Sequence, residues 1–224
     1  MLVAGVDEAG RGCVIGPLVV AGIVVLEENL QLLLELGVND SKKLSAKKRE
    51  ALYPEILRLV KSHHIIKVPP YLIDRAVNST RTLYKLNHLE AHTMAKVIQE
   101  LEPDKAFVDA ADVVPQRFGD YIRDYLGVSQ QPIIVSEHKA DENYGVVAAA
   151  SIIAKVERDG EIMRLQEKYG DFGSGYLGDK RTLNLLRRLL VEGRGVYPSC
   201  VRKSWEPARR LYAEYGLAQK KLLG

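Results

Sequence analysis

The sequence is poor in cysteine and in aromatic residues, and it contains no long hydrophobic run. Two cysteines, Cys13 and Cys200, are too few for a disulfide framework, which favours a cytoplasmic location. The longest apolar stretch, residues 14–26, is interrupted by two glycines and a proline, so no membrane-spanning helix is expected. The N-terminus also lacks the basic start and the small-residue cleavage site of a secretory signal peptide.

The chain has little net charge, but its positive charges are unevenly distributed. The net charge is +3 over 224 residues. Residues 176–224 contain eleven Lys or Arg against four acids, so this segment carries +7 and the remainder −4. A basic C-terminal segment predicts a polyanionic partner, although a solvated helix face would explain the same charges. The length fits one large domain or a main domain with an appendage, and we expect a monomer.

Apolar runs rich in β-branched residues alternate with helical patterns along the chain. Five strands are predicted, at residues 2–7, 18–26, 64–68, 105–109 and 132–138. Helices are predicted at residues 46–62, 89–101, 118–125, 142–169, 180–192 and 204–221. Three strands followed by strands that alternate with helices indicate an α/β fold with a mixed sheet flanked by helices.

Three acidic residues lie at or just after the ends of apolar strands. Asp7 ends the first strand, Asp109 ends AFVD, and Asp141 follows IIVSEHKA. Open α/β sheets bind ligands at such strand ends, so we expect these carboxylates to converge at one edge. Neighbouring strand residues point to opposite faces, so Glu8 can share the site with Asp7 only if the strand ends there. A helix cap or turn explains any one acid alone, but not all of them together.

Clustered carboxylates repel one another, and protons or cations must relieve that repulsion. Two unit charges about 4 Å apart repel by about 4 kcal/mol at an effective dielectric constant of ~20. A site with several carboxylates and without His or Cys favours Mg²⁺ or Mn²⁺. Two such ions can activate a water molecule and stabilise the leaving oxygen of a phosphodiester. The sequence therefore predicts that these acids are metal ligands.

Five segments, in order along nearly the whole chain, carry a resemblance to a known family. They are GVDEAGRGCVIGPLVVAGIVV at residues 5–25, DSKKLS at 40–45, FVDAADV at 107–113, EHKADENYGVVAAASIIAKVERD at 137–159 and FGSGY at 172–176. Together they resemble ribonuclease HII, the type 2 ribonuclease H, in its archaeal form. The opening motif, HKAD and SIIAK are the most specific of these matches.

The resemblance implies a fold, an activity and a set of metal ligands. It implies a ribonuclease H-like five-stranded mixed sheet flanked by helices at residues 1–170, followed by a basic helical substrate-binding extension at 171–224. The implied enzyme hydrolyses the RNA strand of RNA/DNA hybrids and cuts 5′ to ribonucleotides embedded in duplex DNA. The implied catalytic residues, which hold two Mg²⁺ or Mn²⁺ ions, are Asp7, Glu8, Asp109 and Asp141.

A second group of residues is predicted to bind the substrate. The resemblance implies that Gly10, Arg11 and Gly12 read the ribose 2′-hydroxyl and that Tyr176 packs on the next deoxyribose. Glycines allow close backbone approach, and the 2′-hydroxyl is the group that distinguishes RNA from DNA. Candidate phosphate ligands are Lys42, Lys43, Lys139, Ser151 and Lys155, although a solvated lysine is the alternative for each lysine. Candidate duplex contacts are Arg202, Lys203 and Trp205, the last with a core position as its alternative.

The sequence departs from the family pattern at three places, one of which is Tyr144-Gly145, where the family usually has Tyr-Pro. GYLGDK at residues 175–180 replaces the usual GYPSDP, and the loss of two prolines predicts a looser loop around Tyr176. Residues 219–222, QKKL, match only the first half of a sliding-clamp-binding peptide, because no aromatic pair follows. The sequence therefore gives only weak support for a sliding-clamp partner.

Three other functions are considered. Residues 10–16 resemble a dinucleotide-binding turn, but Pro17 and a predicted strand follow where that motif requires a helix. His88 and His92 resemble a zinc-protease helix, but the intervening Glu90 lies one position late, which favours a packed or surface histidine pair. A non-catalytic nucleic-acid-binding protein on the same fold is the main alternative, although it would not require all four acids.

Overall fold

A computed structural model of the chain describes residues 1–38, 44–80, 85–127 and 132–223, with side chains described as far as residue 217. Five strands form one sheet: β1 Leu2–Ala9, β2 Leu18–Leu26, β3 Ser62–Val68, β4 Lys105–Asp109 and β5 Ile133–Glu137. Their order across the sheet is β3-β2-β1-β4-β5. Strand β1 pairs antiparallel with β2 and parallel with β4, and β4 pairs parallel with β5. The predicted mixed sheet is confirmed.

Helices account for most of the remaining described chain. They are α1 Leu30–Glu35, α2 Ala46–Leu59, α3 Pro70–Val77, α4 Leu86–Leu101, α5 Pro115–Leu126, α6 Ala140–Asn143, α7 Gly145–Tyr169, α8 Lys180–Glu192 and α9 Glu206–Leu223. A 3₁₀ turn, Glu27–Asn29, precedes α1. None of the helices in the described ranges is both long and apolar enough to span a membrane.

Helix boundaries follow local signals in the sequence. The Ser45 hydroxyl caps α2 by accepting a hydrogen bond from the Lys48 amide at 3.3 Å. Gly127 ends α5 in the left-handed conformation, with φ of 57°. The single helix predicted over 142–169 is wrong in one respect, because Tyr144 is extended and separates α6 from α7. Helices α1 and α3 were not predicted.

The first of two compact units contains the sheet and consists of Met1–Ala9, Val19–Lys67 and Lys85–Glu157. One apolar cluster joins β1, β2 and β4 to α4 and α5, and another joins β1 and β2 to α2 and α7. Helix α7 begins directly against β1. A Cβ atom on Gly5 would lie only 2.3 Å from the carbonyl carbon of Val146, so only glycine allows this contact.

The second unit consists of Gly10–Leu18, Val68–Tyr84 and Arg158–Gly224. Its core is formed by apolar residues of α8 and α9 together with Val14, Ile15, Ile162 and Phe172. The unit therefore combines the glycine-rich loop after β1 with the basic C-terminal helices. The division at residue 170 into a catalytic domain and a substrate-binding extension remains a prediction.

Candidate active site

Three carboxylates meet at the carboxyl ends of the parallel strands. Asp7 and Asp109 immediately follow the paired residues Val6 and Val108 on adjacent strands β1 and β4. Asp141 follows β5 and lies on the short helix α6, whose first amide, that of Ala140, donates a 3.0 Å hydrogen bond to Asp109 Oδ1. Asp109 ends β4 and Asp141 follows β5 as predicted, whereas β1 continues for two residues beyond Asp7.

The three carboxylates are close enough to share a cation. One oxygen from each of Asp7, Asp109 and Asp141 lies within 4.8 Å of the other two. Asp7 and Asp141 are buried, whereas Asp109 is half-buried. A donor set of carboxylate oxygens alone suits Mg²⁺ or Mn²⁺ and does not suit softer metals. The cluster therefore fits the predicted metal chemistry.

Asp7 is the most strongly perturbed acid of the cluster. Burial, reinforced by the nearby Asp109 charge, raises its pKa from 3.8 to about 7 in the metal-free protein. Hydrogen bonds from the Ser151 hydroxyl and the Glu8 amide, together with the Lys155 charge, oppose this rise in pKa. Lys155 Nζ in turn donates to Ser151 Oγ. A cation at this site would replace the proton that the carboxylates otherwise retain.

The raised pKa of Asp7 predicts how the stability of the metal-free protein depends on pH. Between pH 3.8 and about 7, Asp7 keeps its proton in the folded state, whereas it has lost that proton in the unfolded state. The free energy of unfolding therefore falls as pH rises through this range. Asp7→Asn should remove this decline. In chelator at pH 8, we expect the variant to be more stable than the wild type by roughly 2–4 kcal/mol. Urea unfolding from pH 5 to 8 measures the difference.

Glu55→Gln, at an exposed position of α2, is the matched control. It should leave the pH dependence of the wild type unchanged. Parallel curves for the wild type and Asp7→Asn would show that Asp7 is ionised throughout this range in the folded protein.

Glu8 is not part of the three-carboxylate cluster. Strand β1 continues through Glu8 to Ala9, with Asp7 opposite Ala21 and Glu8 opposite Val20. The strand end that would allow Glu8 to join Asp7 is therefore absent from β1. The assignment of Glu8 as a fourth metal ligand remains a prediction.

The predicted phosphate ligands occupy different environments. Lys42 and Lys43 lie outside the described residues. Lys139 is exposed and forms a 3.5 Å ion pair with Glu142. Ser151 has no exposed surface, and its hydroxyl contacts Asp7 and Lys155. Within the described chain, Ser151 and Lys155 thus form part of the surroundings of Asp7, and phosphate contacts by these residues remain predictions.

The glycine-rich loop after β1 is held by a buried arginine. Gly10 has φ of +84°, and a Cβ atom there would lie 2.9 Å from the Pro17 carbonyl oxygen. Arg202 donates hydrogen bonds from Nη2 to the Gly10 carbonyl at 2.7 Å and from Nη1 to the Arg11 carbonyl at 2.7 Å. Arg202 is fully buried, so its predicted role as a duplex contact is wrong.

Tyr176 lies against the same loop. Cys13 and Tyr176 form an isolated antiparallel β-bridge, and their side chains are hydrogen-bonded to each other. A Cβ atom on Gly12 would lie 3.6 Å from Tyr176 Cε1, which is ordinary van der Waals contact. The Arg158 guanidinium lies 5.0 Å from the centre of the tyrosine ring and donates to the Ser174 carbonyl at 3.1 Å. Loop and ring therefore form one continuous surface.

The contact between Arg158 and the Tyr176 ring was not predicted from the sequence. Arg158 follows Ser151 by seven residues and Lys155 by three, spacings of about two turns and one turn of a helix. That spacing within SIIAKVER was the available signal. Because the sequence does not show which residue Arg158 contacts, its spacing from Ser151 and Lys155 did not distinguish it from an arginine exposed to solvent.

Side-chain hydrogen bonds hold the loop that presents Tyr176. Asp179 caps α8 and accepts from the Ser174 amide at 2.9 Å. Thr182 Oγ1 accepts from the Gly175 amide at 3.1 Å and donates to the Phe172 carbonyl at 2.9 Å. These hydrogen bonds connect Phe172, Ser174 and Gly175 to the start of α8, and the looser loop remains a prediction.

The basic helices α8 and α9 expose most of their arginines. Arg187, Arg188, Arg209 and Arg210 are all exposed. Arg188 and Arg210 lie 3.7 and 3.8 Å from glutamates one turn later on their own helices. Lys203 is also exposed, whereas Trp205 packs against the core of the second unit, as its alternative predicted.

The surroundings of the dinucleotide-binding-like turn and of the His88/His92 pair decide between the alternatives for these two motifs. A strand, β2, follows the glycine-rich turn, which excludes the dinucleotide-binding arrangement. His88 stacks on Tyr121 with ring centres 3.9 Å apart and is hydrogen-bonded to Tyr125 through Nδ1 at 3.1 Å. His92 also contacts Tyr125, so the packed histidine pair is confirmed.

A five-stranded sheet in this order, with carboxylates on the ends of its parallel strands, defines a metal-dependent hydrolase of the ribonuclease H fold. The ribonuclease HII family profile matches residues 4–208. Ribonuclease HII of Cenarchaeum symbiosum is 46% identical over 213 residues, covering 95% of this chain and 99% of that protein. The chain belongs to the ribonuclease HII family.

Solved structures agree with this assignment. The crystal structure of ribonuclease H2 from Pyrococcus horikoshii matches with a TM-score of 0.86 and 42% identity, covering 96% of this chain and 99% of that one. The ribonuclease HII of Archaeoglobus fulgidus, solved in a complex with PCNA, matches with a TM-score of 0.81 and 46% identity, covering 93% and 96%. The protein is thus a metal-dependent endoribonuclease that acts on RNA/DNA hybrids. A non-catalytic binding protein on this fold is excluded.

Proposed function

We propose that the enzyme cuts 5′ to single ribonucleotides embedded in duplex DNA, as well as the RNA strand of hybrids, with the help of two divalent ions. The observation that carries this proposal is the approach of the Asp7, Asp109 and Asp141 oxygens to within 4.8 Å of one another. Mg²⁺ or Mn²⁺ suits these ligands, and Glu8 is the proposed fourth. When bound, two such ions would activate a water molecule and stabilise the leaving oxygen.

Ser151 and Lys155, which interact with Asp7, are proposed to keep its carboxylate ready to bind a cation. Ser151 is buried and hydrogen-bonded to Asp7, so its hydroxyl orients the carboxylate. The Lys155 charge favours the ionised form of Asp7, which is the form that binds a cation. Together they keep a buried carboxylate available as a ligand, although burial alone would keep it protonated.

Recognition of the ribonucleotide is assigned to the surface formed by the glycine-rich loop and Tyr176. Exposed Gly12 adjoins the tyrosine ring, so a ribose in contact with the loop has its neighbouring sugar beside the ring. A 2′-hydroxyl on that second sugar would crowd the ring, whereas a deoxyribose would pack on it. This arrangement favours a ribonucleotide followed by a deoxyribonucleotide.

One experiment tests the proposed function directly. A labelled duplex containing a single ribonucleotide is incubated with and without Mg²⁺, and the cut position is mapped. We expect one cut on the 5′ side of the ribonucleotide and only with the metal. Cleavage of continuous hybrids without cleavage of this duplex would limit the enzyme to runs of ribonucleotides.

The basic helices are proposed to hold the duplex through its phosphates. Changing Arg187, Arg188, Arg209 and Arg210 together to glutamine should weaken duplex binding and flatten its salt dependence. The slope of log K against log salt should fall by up to about one for each phosphate that the variant no longer neutralises. The cut position should not move. Fluorescence titrations at several salt concentrations measure the slope.

Lys47→Gln combined with Lys48→Gln, on exposed positions of α2 in the other unit, controls for loss of charge alone. That variant should retain the wild-type slope. An equal change in both variants would mean that α8 and α9 contribute only to the general field of the protein.

We further propose that the enzyme is a cytoplasmic monomer and that a sliding clamp is a candidate partner through residues 219–222. The Archaeoglobus fulgidus relative in complex with PCNA supports a clamp partner. The sequence itself supports this partner only weakly, because QKKL lacks the aromatic pair that would complete the peptide. Deletion of residues 219–224 should abolish clamp binding and leave cleavage unchanged.

A further inference from the structure

Arg202 makes an unusual set of contacts for a residue in a basic C-terminal segment. It is fully buried, and its side chain reaches back to the loop that follows β1. Nη2 and Nη1 donate to the carbonyls of Gly10 and Arg11, both at 2.7 Å, and Nε donates to the Gly16 carbonyl at 3.1 Å. The guanidinium also lies 5.1 Å from the centre of the Trp205 ring.

A simple packing role does not explain a buried arginine here. Burial of a charged group costs several kcal/mol unless its hydrogen atoms are bonded, and an apolar side chain would fill the space at lower cost. Arginine remains charged under all ordinary conditions and carries five N–H donors in a rigid plane. All three nitrogens of the Arg202 guanidinium donate to carbonyl oxygens of a single loop, so the residue is built to hold that loop.

These hydrogen bonds also fix where the loop amides point. A peptide group is planar and trans, so its N–H lies opposite its C=O. With the Gly10 and Arg11 carbonyls bound to the guanidinium, the N–H groups of Arg11 and Gly12 are directed to the other side of the loop. Gly12 is exposed and adjoins Tyr176. The positive charge behind the carbonyls further polarises these amides as donors.

We propose that Arg202 is a positioning residue for ribonucleotide recognition, which holds the backbone of Gly10–Gly12 so that its amides meet the ribose 2′-hydroxyl. This inference rests on the proposed function of the loop. It predicts a defect in the chemical step with little change in duplex binding, because the exposed arginines of α8 and α9 remain in place. It also predicts equal losses on single-ribonucleotide duplexes and on long hybrids, since both present a 2′-hydroxyl at the cut.

The test compares Arg202→Lys and Arg202→Ala with Arg58→Gln, an exposed arginine on α2 as the matched control. Arg202→Ala should lower kcat roughly 100-fold on both substrates with KM nearly unchanged, because several charge-assisted hydrogen bonds are removed. Arg202→Lys should lie between the wild type and Arg202→Ala, because one ammonium cannot reach three carbonyls. Arg58→Gln should leave both kcat and KM unchanged. Millimolar methylguanidinium should restore part of the kcat of Arg202→Ala and should not change the kcat of the other variants.

A measurement without substrate separates this inference from the proposed function. In Arg202→Lys, hydrogen exchange of the Arg11 and Gly12 amides should accelerate about 10-fold, while amides of the sheet remain unchanged. Wild-type protein that fails to cut the single-ribonucleotide duplex would overturn the proposed function but not this result. A folded Arg202→Ala variant with wild-type kcat and unaltered exchange would overturn the inference. So would global unfolding of both variants, which would make Arg202 a core residue.

Discussion

Asp109→Asn is expected to lower the cleavage rate about 1,000-fold or more while the protein remains folded. The substitution removes one of three carboxylates whose oxygens lie within 4.8 Å of one another, and asparagine carries no charge to bind a cation. A loss of this size corresponds to about 4 kcal/mol of transition-state stabilisation. Asp7→Asn should behave in the same way, and Asp141→Asn should be milder if Asp141 mainly serves the metal near the leaving group. Single-turnover cleavage with saturating Mg²⁺ measures the rates.

Two further variants sharpen this prediction. Glu55→Gln removes an exposed carboxylate remote in sequence from the cluster and should cleave at the wild-type rate. Glu8→Gln tests the one proposed ligand that the cluster does not include. Near-wild-type rates for two of the four acid variants would show that the metal-site assignment is wrong.

Tyr176→Ala is expected to reduce cleavage of a single-ribonucleotide duplex more than cleavage of a long hybrid. The ring adjoins Gly12 and is stacked with Arg158, so its removal opens the surface on which the second sugar packs. Removal of this packing should cost on the order of 1–3 kcal/mol on the single-ribonucleotide duplex. Metal binding should be unaffected. Parallel measurements of kcat/KM on the two substrates give the ratio.

Tyr176→Phe is the matched variant for the ring. It should retain the packing and lose the hydroxyl, which in the free protein is hydrogen-bonded to Cys13. Gly12→Ala adds a methyl group that would meet the ring at 3.6 Å, so the fold should tolerate it while the sugar-binding surface changes. Equal losses on both substrates for Tyr176→Ala would leave the tyrosine as a general packing residue.

Much of the first unit could be predicted because its signals are local. The bounds of β2 and β4 agree with the sequence, since each is a short β-branched or apolar run with clear stops. The meeting of Asp7, Asp109 and Asp141 follows from parallel strands whose carboxyl ends lie at one edge of the sheet. Helices α1 and α3 were missed because α1 is only six residues long and α3 is an eight-residue helix that begins at a proline, two residues after β3.

The contacts of the second unit could not be predicted in the same way. VRKSW resembles an exposed basic turn, and the partners of Arg202 are carbonyl oxygens 186 to 192 residues earlier in the chain. Backbone carbonyls leave no trace in residue identity. The same limit applies to the loop before α8, which Asp179 and Thr182 hold through hydrogen bonds to the backbone.

The contact between Gly5 and α7 ties the position of Ser151, which is proposed to orient Asp7, to the distance between sheet and helix. A Cβ atom at residue 5 would lie 2.3 Å from Val146, so any larger residue must push strand and helix apart. Ser151 lies five residues further along the same helix, about 7.5 Å along its axis, and would move with it as part of a rigid rod. The hydroxyl would then withdraw from Asp7. A substitution at residue 5 would therefore produce a catalytic defect through a mechanical displacement, although residue 5 carries no functional group.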